Sequence, residues 1–161
     1  MPLSERNPKM NALLMCDRVI HDADTEQVSL IGLRESFTLS AFPAVIPPVS
    51  VYAQMTDALG EYVFKLELVR RDDISSLLEI ELAPVTVEDP MTYIEAVFRL
   101  EDLTLEWPGY YDARLFVNGT KFLDGTAFLA EEAPRRSTKG VGRPLPVPKP
   151  ATPIRPEDKK T

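Results

Sequence analysis

The chain is poor in the residues that catalysis uses most. It holds one cysteine, Cys16, and one histidine, His21. A single cysteine excludes an intrachain disulfide, so the fold does not draw on an oxidising compartment. The same scarcity excludes a structural zinc site, which takes a tetrahedral set of mostly Cys and His ligands. With His21 as the only histidine, and at a predicted strand end, no serine acquires a His–Asp partnership. Neither GxGxxG nor GxxxxGK followed by Ser or Thr occurs, so no phosphate cradle is visible. Long apolar runs are missing too. The run in the opening segment, Ala12 to Cys16, is five residues long. An export signal's core needs about 7–15, and nothing approaches the roughly 18 of a membrane span. The expectation is a cytoplasmic location, no membrane contact and no catalytic, cofactor or metal site.

What the chain does have is charge, unevenly spread. The net charge of −7 conceals a basic end. Residues 133–161 carry eight basic side chains (Arg135, Arg136, Lys139, Arg143, Lys149, Arg155, Lys159 and Lys160) against Glu157 and Asp158, or +6. The first 132 residues are left with 10 basic and 23 acidic side chains, or −13. An acidic body repels phosphates, which restricts any nucleic-acid contact to a weak one through the tail. That tail also holds nearly half of the chain's 15 prolines and no aromatic residue. It cannot bury enough apolar surface to offset its ordering entropy, and disorder with a polyproline II bias is expected.

The body alternates in the strand period. Val49, Val51, Ala53 and Met55 share one face, and Ser50, Tyr52 and Gln54 the other. Tyr62, Phe64, Leu66 and Leu68 form a second apolar set, Leu78, Ile80 and Leu82 a third, and Ile94, Ala96, Phe98 and Leu100 a fourth. Charges on every second residue require one wet face per strand, which is the antiparallel pattern. Turn signals punctuate the runs, the strongest being Asn118-Gly119. About eight strands and no helix are predicted. "PGYYDARLFV" places Tyr111, with Ala113, Leu115 and Val117 on the same face, where immunoglobulin-like sandwiches carry a tyrosine that bonds back to the preceding turn. The expected architecture is an all-β, antiparallel immunoglobulin-like β-sandwich at 11–132, after an extension at 1–10 and before the disordered proline-rich tail at 133–161.

Candidate chemistry is sparse. Cys16 and His21 sit five positions apart on one predicted strand, so their side chains face opposite ways and cannot act together. Cys16 shares the parity of Leu14 and Ile20 and is expected in the core as a small apolar residue. Asp22, Asp24 and Glu26 are weak metal candidates, since Ca²⁺ wants about six to eight oxygen ligands. Their simpler role is turn formation, because aspartates bond neighbouring backbone amides. Trp107, Tyr110 and Tyr52 could form an aromatic platform for sugar rings or a partner surface. Pro150, Pro153 and Arg155 match the PxxPx(R/K) spacing of SH3 ligands, a spacing that any proline-rich spacer readily shows.

Leu14, Cys16, Asp17 and Val19, then Ser29-Leu30-Ile31-Gly32, then Phe42-Pro43 make a recurring pattern of strand, turn, strand and turn. With Gly60-Glu61 and the stretch from Gly109 to Gly119, it resembles an uncharacterised family of small bacterial all-β proteins of unknown function over residues 11–131. The resemblance implies a fold and no activity. The leading expectation is a non-enzymatic binding or scaffolding module that engages another protein through a sheet surface, the tail, or both. A calcium- or carbohydrate-binding sandwich is the first alternative, and a small hydrolase with an undisplayed site the second.

Overall fold

A computed structural model of the chain describes residues 6–136. Most of the tail, with Pro150, Pro153 and Arg155, lies outside the described residues, as does the expectation of its disorder.

Thirteen strands follow one another among the described residues: β1 (Lys9–His21), β2 (Val28–Leu33), β3 (Ser36–Leu39), β4 (Ala44–Val45), β5 (Val49–Thr56), β6 (Gly60–Tyr62), β7 (Phe64–Arg70), β8 (Ser76–Glu81), β9 (Val85–Val87), β10 (Ile94–Leu100), β11 (Thr104–Leu105), β12 (Gly109–Val117) and β13 (Lys121–Glu132). One sheet runs β10-β5-β1-β2, and a second runs β3-β13-β12-β7-β8. The pairs β4–β11 and β6–β9 close two ends. The fold is all-β, as expected. The strand count is higher than eight because the four closing strands are two or three residues long, too short to show a period.

Two predicted strands are also split. The run from Tyr62 to Leu68 divides at Val63, whose N–H donates to the Asn118 side chain at 3.0 Å. The second predicted strand divides at Arg34 and Glu35, where the chain leaves β2 in the first sheet and enters β3 in the second. There β3 runs parallel to β13, the one departure from antiparallel pairing among the described residues. The loop at Asn118-Gly119 joins β12 to β13, with both residues at positive φ, 50° and 89°. The glycine and asparagine tolerate that conformation, which other residues resist.

Inner faces of the two large sheets meet on a single core. Leu13 and Met15 come from β1, Val49, Val51, Ala53 and Met55 from β5, and Ile94, Ala96, Phe98 and Leu100 from β10. Phe64, Leu66 and Leu68 of β7, Tyr111, Ala113 and Leu115 of β12, and Phe128 of β13 meet them from the other side. The alternation read from the sequence therefore picks the core side of β5, β7, β10 and β12. The tyrosine bond is present as well: Tyr111 Oη donates to the Trp107 carbonyl at 2.6 Å.

β5 departs from the one-wet-face expectation, since Ser50 and Tyr52 are as buried as its core residues. Tyr52 stands between Leu14 of β1 and Val97 of β10, its paired neighbours, and Arg99 reaches over Ser50 with a 3.3 Å hydrogen bond to Oγ. Neighbouring side chains on a central strand cover what a period of two would leave wet.

Candidate functional site

The opening cysteine is buried, with no exposure, but on the wrong side for the core role expected of it. Leu13 and Met15 set the inward parity of β1, so Cys16 projects from the outer face with half-exposed Leu14 and Ile20. Its strand partners are Leu33 and Ser50. Burial pushes the thiol up, away from the thiolate a nucleophile needs. His21 is exposed at the strand end.

The acidic turn after His21 is occupied with its own backbone. Asp22 Oδ1 accepts from the N–H of Asp24 at 2.9 Å and of Thr25 at 3.0 Å, and Glu26 N–H donates to the Asp22 carbonyl. The Thr25 and Asp24 amides hold the Asp22 carboxyl below its usual range. Asp57 pairs with Arg6 and Lys9, and Asp72 and Asp73 with Arg70. Among the described residues, no three or more His, Cys, Asp or Glu side chains gather as a metal-binding group.

The aromatic platform does not assemble. Tyr52 is buried on the outer face of β5, where its hydroxyl donates to Glu95 at 3.0 Å. Burial, and then the Glu95 carboxylate, push its phenol up to about 12. An unfolded tyrosine titrates near about 10, so between about pH 10 and 12 the unfolded chain binds fewer protons and stability falls as pH rises. Tyr52→Phe is expected to flatten that alkaline loss in a series of melting curves, leaving a smaller slope from Tyr111, which burial also raises.

Trp107 and Tyr110 are exposed, at 56% and 47%, but open onto different hollows. Tyr110 belongs to a seam of about 500 Å³ between the two sheets, lined by Leu14 and Met15 of β1, Leu33 at the end of β2, and Ala127 and Leu129 of β13. Arg34 and Glu35, the residues that carry the chain between sheets, edge the seam.

Each wall of the seam is pinned. Arg71 lies 4.8 Å from the centre of the Tyr110 ring, and its guanidinium holds Asp112 through bonds of 2.6 and 3.0 Å. Arg34 holds Asp17 through bonds of 2.6 and 3.2 Å. Asp17 in turn lies over Gly32, which has φ +68° and would bring a Cβ to 2.3 Å from the carboxylate. Three residues in the family-like pattern or beside it thus form one contact that fixes the end of β2.

Beyond the seam the outer face of β1 and β2 stays apolar. Leu33 is 62% exposed and Ile31 48%, with Leu14 and Ile20 also open. Ile31 pairs with Arg18, Leu33 with Cys16 and Ile20 with Ser29, which places all six residues on one face. Of the residues singled out from sequence as candidate chemistry, Tyr110 opens onto the seam and Cys16 lies buried on this outer face. Leu14 and Ile31 were visible as members of the family-like pattern, and Leu33 follows it directly, but alternation alone does not reveal which of two faces lacks a cover.

The second hollow, of about 510 Å³, surrounds Trp107. Arg70, Ser75, Leu77, Leu78, Leu103 and Tyr111 line it, together with the carboxylates Asp73, Glu101, Asp102 and Glu106. The guanidinium of Arg70 is 5.8 Å from the Trp107 ring centre.

A family model described as a family of unknown function, DUF6941, matches residues 11–125. No curated protein matches the chain. Among solved structures, the chain is similar to Pseudomonas fluorescens alkylpurine DNA glycosylase AlkC bound to DNA containing an abasic site analog, at 13% identity and a TM-score of 0.47. That similarity covers 77% of this chain and 30% of the other.

Proposed function

The chain belongs to DUF6941, a family of unknown function, and from that premise we propose that it is a non-enzymatic module that binds another protein. Its working surface is the seam between the sheets together with the outer face of β1 and β2. One observation carries this reading: Leu14, Ile20, Ile31 and Leu33 are exposed side by side on one sheet face, beside a hollow that also holds Tyr110. Contiguous apolar surface of this kind costs free energy in water, and covering it is favourable by about 25 cal/mol per Å². An aromatic anchor in a hollow edged by the charged residues Arg34 and Glu35 is the composition of a protein–protein hot spot.

β2 is also an edge strand, but the left-handed backbone at Gly32 interrupts its run of donors and acceptors. The face, more than the edge, is therefore the contact surface.

We propose further that the sheets form an immunoglobulin-like sandwich. Support comes from the shared core and from the Tyr111–Trp107 bond at the start of β12. A cytoplasmic location accords with a lone thiol that has no disulfide partner. No helix among the described residues is long and apolar enough to cross a membrane.

The test is capture of partners from the native host by the full chain, compared with Ile31→Asp/Leu33→Asp. Both positions are exposed, so the variant is expected to keep its melting temperature and to lose the captured protein. The same protein retained by the variant would contradict the reading.

A further inference from the structure

Independently of that surface, we propose that the hollow beside Trp107 is the seat of this chain's own basic, proline-rich tail, with Pro150, Pro153 and Arg155 at its centre. Three observations converge on this occupant.

The first is the chemistry of the hollow. Its aromatic wall is an exposed tryptophan, and Leu77, Leu78 and Leu103 add apolar lining. Of its four carboxylates, Asp73 pairs with Arg70 and Glu101 with Arg99, which leaves Asp102 and Glu106 to meet an incoming cation. Proline-rich segments dock on aromatic-lined grooves because their extended backbone has little entropy left to lose. A basic residue beside the prolines then pairs with acids at the groove's edge.

The second is charge. The tail from 133 is +6 and the preceding body −13, so attraction between them operates in the chain itself. The spacing of Pro150, Pro153 and Arg155 sets a cation two residues beyond the proline pair in sequence, available to the lining carboxylates Asp102 and Glu106.

The third is position. β13 ends at Glu132, and Gly109, two residues after Trp107, pairs with Ala130 of that strand. The tail therefore leaves the sheet at the end where the hollow lies, the end that also holds Arg70 and the β7–β8 turn. Thirteen residues separate Arg136 from Pro150, an extended reach on the order of 45 Å. The segment can enter the hollow from its own chain.

Trp107 is the only tryptophan, so its fluorescence reports on this hollow alone. Acrylamide quenching is measured on the full chain and on three full-length variants: Arg143→Glu/Lys149→Glu/Arg155→Glu, Pro150→Ala/Pro153→Ala, and Asp102→Asn/Glu106→Gln. In dilute buffer the quenching constant is expected to rise roughly twofold in each variant, as a covered indole becomes open. In about 1 M salt, where screening acts within about 3 Å, the parent chain is expected to approach the variants. Melting curves establish that all four are folded.

Equal quenching in parent and variants overturns the proposal. So does a response confined to the charge variants, which would mean a long-range field without a seated proline segment. Protection that grows with protein concentration assigns the hollow to a second copy's tail and overturns the intramolecular occupant. Protection by an added peptide of residues 144–157, in a parent chain that otherwise quenches like its variants, shows that the hollow takes this sequence in trans but not from its own chain, and overturns the intramolecular occupant likewise.

Discussion

Phe128→Ala is expected to destabilise the protein by about 3–5 kcal/mol, the range for removing a large aromatic side chain from a packed core. Phe128 is fully buried on β13, its ring 5.3 Å from Tyr111 and nearly parallel to it, at 9°. Phe37 of β3 meets the same ring edge-on, also at 5.3 Å. One side chain thus joins three adjacent strands, including the parallel pair β3–β13 that sequence periodicity did not anticipate.

Removing the ring leaves a cavity and frees the Tyr111 ring, whose hydroxyl holds the turn at Trp107. Domains of this kind are stable by only about 5–15 kcal/mol, so the loss should be plain in a denaturant titration. Phe128→Leu keeps most of the volume and is expected to cost under about 1.5 kcal/mol. A loss below about 1 kcal/mol for Phe128→Ala would mean that the three strands do not depend on this cluster.

Gly32→Ala carries the second large effect, and it arises from a different cause. With φ at +68°, any side chain costs about 1–2 kcal/mol in backbone strain. The added Cβ would also lie 2.3 Å from Asp17 Oδ2 and 2.8 Å from Cγ, so the carboxylate must move and release Arg34. Asp17 and Arg34 are both partly exposed, and their pair contributes at most about 1 kcal/mol. The total is about 1–3 kcal/mol, read as a melting temperature lower by roughly 3–12 °C.

Asp17→Ala vacates the space, so the double variant is expected to lose less than the two single losses added together. Strict additivity would show that Asp17 and Gly32 do not contact one another in solution.

That pair also marks where sequence reading succeeds and where it stops. Asp17 and Gly32 stand out in the family-like pattern, yet nothing in a linear sequence shows that they meet across two strands. The core of β5, β7, β10 and β12 was legible because one face of each is buried, and a period of two then selects the buried set. Tyr111 was legible because its turn and its strand are adjacent in the chain. Cys16 was misplaced because β1 has apolar residues on both faces around Leu13–Cys16, and alternation gives no sign of which face is inward.

Tyr52 and Tyr110 show the same limit in the candidate site. Both are strand tyrosines, but Leu14 and Val97 flank one, whereas the other opens onto a hollow at the gap between sheets. Burial of that kind is set by neighbours distant in sequence. The exposed apolar face of β1 and β2 was hidden for the same reason: its members read as ordinary strand residues until the sheet order leaves them uncovered.

The central claim is that the seam at Leu14, Leu33 and Tyr110 is where a partner binds. The most direct measurement is a calorimetric titration of the captured partner into the full chain, Leu33→Asp and Tyr110→Ala. Hot-spot truncation costs more than about 2 kcal/mol, so each variant is expected to weaken the Kd by more than about thirtyfold. An unchanged Kd in both variants, with melting temperatures equal to the parent's, would place the binding surface elsewhere and contradict the account.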